Sequence, residues 1–133
     1  MEVLDPRAIA TPVYRALTEL RGDRSKDDPL LKQQKGQAVE LYTYLATWGL
    51  LRLKAEEKAI SDEKLGKKQV VKAYFDCLQE LSGKQSIHGK DGLGTLSQLD
   101  VEDYLGLTGL GLTVAREFSF WATAVYHDVK GES

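Results

Sequence analysis

The stretch YLGLTGLGLTVAREFSFWATAVYH, Tyr104 to His127, opens with Gly106, Gly109 and Gly111 and closes on aromatic and small apolar side chains. A Gly-rich phosphate loop here would make the protein a nucleotide enzyme, whereas a helix carrying the glycines would make it a packing element. Phosphate loops need G-x-G-x-x-G after a strand, or G-x-x-x-x-G-K-[ST]. The order here is G-x-x-G-x-G, no Lys-Ser or Lys-Thr follows, and no strand pattern precedes it.

A helix fits better. Asp100 suits an N-cap, and Glu102 and Asp103 place negative charge beside the free N–H groups of the first turn. Val101, Tyr104 or Leu105, Thr108, Leu112, Ala115, Phe118, Ala122 and Val125 keep steps of three and four straight through the glycines. Each glycine inside a helix costs about 1 kcal/mol relative to alanine, so something must offset the three. The expectation is that a neighbouring backbone lies unusually close along Gly106, Gly109 and Gly111.

Working outward, the preceding segment "SGKQSIHGKDGLG", Ser82 to Gly94, is rich in glycine and reads as a mobile loop, with a short helical turn through Thr95 to Leu99. From Ser61 to Ser82 an apolar face gathers Val70, Val71, Tyr74, Phe75, Leu78 and Leu81, with Lys68, Lys72, Asp76 and Gln79 opposite. Lys64 and Lys67 would fall on the apolar side, so the regular helix is expected to start near Lys67. Another stripe, Ala38, Leu41, Tyr42 and Leu45, starts from about Leu31 and changes phase after Gly49, which predicts two helices meeting at Thr47 to Gly49. Gly22 to Pro29 is charged and broken, an exposed connection. Asp5 and Pro6 form a helix start. Ile9, Val13, Leu17 and Leu20 continue from it, with Pro12 expected to bend the helix or restart it on Thr11.

The fold class expected is all-α: a compact bundle of about five to six helices with a long C-terminal one, in a single domain spanning 1–133. At 133 residues the chain is long enough to bury a core without disulfides or metals, and 42% hydrophobic content excludes wholesale disorder. Eighteen basic and twenty acidic residues give a net charge of -2, so any attraction for nucleic acid must be local. One cysteine, Cys77, excludes an internal disulfide, and with His88 and His127 alone beside it no zinc ligand set is spaced correctly. No apolar run reaches the roughly 20 residues of a membrane span, and the acidic opening MEVLD lacks the features of an export signal. A cytoplasmic location is expected.

Two segments resemble the small subunit of the Cmr complex, the type III-B CRISPR effector that turns a guide RNA against foreign transcripts. They are TWGLLRLKAEEK, Thr47 to Lys58, similar to that family's Gly-Leu junction and lysine-ended helix, and DVEDYLGLTGLGLTVAREFSFWATA, Asp100 to Ala124. The second resembles the closing helix of the family through Tyr104, Thr108, Leu112 and the aromatic and alanine positions Trp121 to Ala124. This chain departs from the family at Ser119 and Phe120, where members often carry basic residues. The resemblance implies a non-catalytic, all-helical subunit without cofactors. Such a subunit stacks in a filament with copies of itself and the other Cmr subunits, beside the guide RNA, and helps to hold the target RNA.

For such a role the candidate RNA-binding residues are Lys32, Lys35, Arg52, Lys54, Lys58, Lys67 and Lys68, whose positive charge attracts phosphate without regard to sequence. Arg52, following the Gly-Leu junction, and Lys67 and Lys68, near a helix start, rank first. A lysine on a surface helix is most often a solvated charge. Trp48 and Trp121 are assigned to packing on apolar helix faces rather than to bases. No nucleophile and base pair emerges around His88, His127 or Cys77. The alternative is a helical adaptor or signalling domain unrelated to RNA; a phosphotransfer version would need an exposed histidine in mid-helix, and neither histidine sits there.

Overall fold

The computed structural model describes residues 5–130; Met1 to Leu4 of the acidic opening, and Gly131 to Ser133, lie outside the described residues. Asp5 begins the first helix as the sequence expects: its Oδ1 accepts from the Arg7 backbone N–H at 2.9 Å. Helix α1, Arg7–Arg21, then runs without a restart through Pro12. Burial of Val13 and Leu17, both fully inaccessible, holds the segment helical although proline removes one backbone bond.

Asp28 caps α2, Pro29–Trp48, by accepting from Leu30 N–H at 2.9 Å, with Pro29 in the first turn where its missing N–H costs nothing. Gly49 ends α2 at φ +87°, a backbone conformation open to glycine, and α3, Leu50–Ala59, leaves in a new direction. The phase change after Gly49 in the sequence is this junction. A 3-10 turn, Asp62–Lys64, leads into α4, Leu65–Ser82, two residues ahead of the expected start at Lys67.

The connection after α4 is tied down rather than loose. Gln79 Oε1 accepts from the backbone N–H groups of both Ile87, at 3.0 Å, and His88, at 2.9 Å, and the Ile87 side chain is fully buried. Helix α5, Gly92–Gln98, begins three residues before the expected turn at Thr95. Helix α6, Val101–Val125, is the long terminal rod, capped by Asp100 through the Asp103 N–H at 2.8 Å and unbroken across all three glycines.

Among the described residues there are six α-helices and no strand, arranged as a compact bundle. Helices α1, α2, α4 and α6 surround the core, α3 packs against α4 and α2, and α5 packs against α3. Tyr74 lies at the centre, edge-on to Phe75 and Phe118 with ring centroids 5.1 and 5.7 Å away. A buried polar chain crosses between α6, α2 and α4: Tyr126 Oη donates to Gln34 Oε1 at 2.7 Å, and Gln34 Nε2 donates to Gln69 Oε1 at 2.9 Å. Being hydrogen-bonded, these groups are tolerated in the interior.

Two expectations about α6 are corrected. Its buried line is Leu107, Gly111, Val114, Ala115, Phe118 and Ala122, while Val101 and Leu105 are 73% and 62% exposed. The N-terminal half of the face is therefore rotated by one residue, about 100°, from the apolar count. The close backbone approach expected at three glycines occurs at none of them; at Gly111 a side chain takes the space instead. A Cβ on Gly111 would lie 2.7 Å from Tyr74 Oη, whereas Gly106 and Gly109 face open space. The tight backbone crossing is elsewhere, at Gly66 on α4, where a Cβ would meet Leu30 O on α2 at 2.6 Å. Gly66 N–H donates to Gln33 Oε1 at 2.9 Å across that contact.

Candidate functional site

Lysines spread along the sequence come together at the end of the bundle where α3, α4 and the α4–α5 connection meet. Lys54 and Lys58 come from α3, Lys68 and Lys72 from α4, and Lys90 from the connection; with Glu57, Gly89 and Leu93 they line a pocket of about 290 Å³. Lys58 follows Lys54, and Lys72 follows Lys68, by four residues, so each pair shares one helix face. Lys90 arrives because Gly89, at φ +95°, turns the chain just after the segment held by Gln79.

The charges in this pocket are not equivalent. Lys54 is 3% exposed; its Nζ donates to Glu57 Oε2 at 2.5 Å and lies 4.8 Å from the centre of the Phe75 ring. Gly92 makes room for its stem, since a Cβ there would sit 2.3 Å from Lys54 Cε. Lys54 is thus half of a buried ion pair on the pocket's inner side. Lys68 pairs with Asp62 at 3.5 Å, but that carboxylate is almost wholly exposed, so the pairing is weak and exchangeable. Lys58, Lys72 and Lys90 are exposed, and among the described residues no carboxylate lies within ion-pair distance of them. Three uncompensated ammonium groups around one concavity favour an anion.

On the other side of α3 lies a broad, open groove lined by Trp48, Leu51, Arg52, Ala55, Ser97 and Tyr104, and it shares Leu93 with the lysine pocket. Trp48 is 52% exposed, which excludes the core half of the core-or-subunit-interface packing expected for it, and the Arg52 guanidinium stacks 3.9 Å from its ring centre. Tyr104 Oη accepts from Leu51 N–H at 3.0 Å, anchoring α6 to the start of α3. Tyr44 Oη donates to Glu56 Oε2 at 3.2 Å behind this surface; burial raises its phenol, opposed by Arg52. Trp121, in contrast, is half-buried against Tyr14 and Phe120 at the far end of α6.

Of the seven sequence candidates, Lys54, Lys58 and Lys68 meet in the pocket, and Arg52 lies on the adjoining groove. Lys35 is remote, its Nζ donating to Val129 O at 2.6 Å and so fastening the chain after α6. Lys32 and Lys67 are half-buried and line neither surface. The sequence reading missed Lys72, placed on a solvated face, and Lys90, placed in a loop; only the i, i+4 spacing of Lys72 from Lys68 pointed to a shared site. Among the described residues no group of His, Cys, Asp and Glu is placed to hold a metal ion, and no helix is long and apolar enough to cross a membrane. His88 and His127 are both exposed.

The chain matches no family model, no curated protein and no solved structure.

Proposed function

We propose that this chain is a non-catalytic small subunit of a type III-B RNA-guided effector, stacking beside the backbone subunits and helping to hold the target strand. The observation that carries the RNA part of this reading is the pairing of two surfaces across α3. One is a lysine pocket with three uncompensated charges, and the other is an exposed Trp48 stacked with Arg52, joined at Leu93. A positive concavity beside an aromatic platform is what single-stranded nucleic acid requires, phosphates going to the first and base faces to the second. The resemblance at Thr47 to Lys58 and Asp100 to Ala124 supplies the effector context, and its junction, Gly49, is the turn that presents Trp48 and Arg52.

Lys72 and Lys90 replace Lys32, Lys35, Lys54 and Lys67 as the preferred phosphate contacts, with Arg52, Lys58 and Lys68 retained. Affinity for free RNA should be modest and should fall with salt as counterions are recaptured. The test is co-expression with the effector subunits and a guide, followed by photocrosslinking of a bound target. The expected result is copurification and crosslinks at Trp48 or Tyr104, weakened by R52E/K72E/K90E. An intact complex lacking this chain, or crosslinking unchanged in the triple variant, would reject the reading. A helical adaptor would have no need of these charges, so it predicts the unchanged result.

A further inference from the structure

The lysine pocket differs in shape from a groove that tracks a strand. The buried Lys54–Glu57 pair lines its inner side, and Lys90 lines it two residues beyond His88, whose backbone N–H, like that of Ile87, is held by Gln79 Oε1. A continuous strand would have to enter and leave, presenting one charge per phosphodiester spaced along its length. The pocket instead gathers Lys58, Lys72 and Lys90, plus the weakly held Lys68, around about 290 Å³, near the lower end of ordinary ligand pockets. That concentration matches a compact group carrying two charges, because charge-assisted hydrogen bonds from several ammonium groups can converge on one phosphorus centre.

We propose that this pocket captures the terminal phosphomonoester of an RNA strand, with the following bases running over Leu93 to Trp48. Helix α3 provides the span: Arg52, stacked on Trp48, and Lys58 are six positions apart on it, about 9 Å along the axis, or room for one to two nucleotides. The inference rests on the nucleic-acid reading of the site but not on membership of any effector.

The test measures binding of the full chain to oligoribonucleotides of about eight residues, identical except for a 5′-phosphate, a 3′-phosphate or hydroxyls at both ends. One phosphorylated form should bind about tenfold tighter than the hydroxyl-ended form, and which one does so identifies the end that is captured. In K58Q/K72Q/K90Q that advantage should disappear, leaving all three oligonucleotides at one common, weaker affinity, whereas K58R/K72R/K90R should keep it. All three lysines are exposed, so the variants are expected to fold, which circular dichroism checks. Equal affinity for the three oligonucleotides, or an advantage that survives the glutamine variant, overturns the proposal while leaving general RNA binding intact. Failure of every oligonucleotide to bind overturns both readings.

Discussion

At the scale of single residues, the Lys54–Glu57 pair shows how burial changes the role of a charge. In the sequence Lys54 is one more basic residue on a charged helix; in the structure its ammonium is enclosed, matched and roofed by a ring. Removing one member of a buried pair strands the other. Glu57→Ala is therefore expected to destabilise the fold by about 3–5 kcal/mol, whereas the double replacement K54M/E57L should be close to neutral. Urea denaturation of the three proteins decides it, and a single variant as stable as the double one would refute the account. Cys77 presents the opposite case, a reactive group disarmed. Burial, then the nearby Asp76, Glu80 and Glu19 carboxylates, push its thiol up to about 12, because each disfavours the thiolate. At pH 8 iodoacetamide should label native Cys77 on the order of a thousandfold more slowly than the same cysteine in urea. Comparable rates in the two states would show that the thiol is accessible.

At the scale of the element, α6 separates glycines that the sequence presents as a set. Gly111 is needed: the Tyr74 hydroxyl occupies the space of its missing side chain and donates to its carbonyl at 2.8 Å. Tyr74 cannot retreat, being fully buried between two rings, so Gly111→Ala should lower stability despite alanine's better helix propensity. Gly106 and Gly109 have nothing within reach, so alanine at either should add up to about 1 kcal/mol. Opposite signs in thermal melts of the three variants are the expected outcome; a gain at Gly111 would mean that Tyr74 is free to move. The same contact explains the rotated face of α6. A periodicity count registers side chains, so it passed over Gly111 and took Leu112, whereas the packing uses the gap. Asp100 and Gly49, whose roles depend only on their immediate neighbours, were legible in the sequence.

At the scale of the whole molecule, the helical class and the long terminal rod follow from local patterns, but the site does not. Lys58, Lys72 and Lys90 become neighbours only because α3, α4 and the α4–α5 connection fold against one another, information carried by contacts between separate segments, such as Gln79 to Ile87. The closure of the bundle is equally non-local. Arg21, at the end of α1, donates to Asp128 Oδ1 at 2.5 Å, to Asp128 Oδ2 at 2.9 Å and to Val125 O at 2.7 Å, and Lys35 reaches Val129 O from α2. The Arg21 guanidinium lowers the Asp128 carboxyl to about 2. The depressed folded-state value means the unfolded chain takes up the proton first as acid is added. The contribution of Asp128 is thus fully present above its ordinary value near 4 and is lost as pH falls toward 2. Melting temperatures of the natural chain and Asp128→Asn should differ most above pH 5, with the natural chain higher, and converge near pH 2. A gap that stays constant across that range would show that Asp128 is not titrating against Arg21, and that Val125, Tyr126 and Val129 tie the end of α6 to the bundle without it.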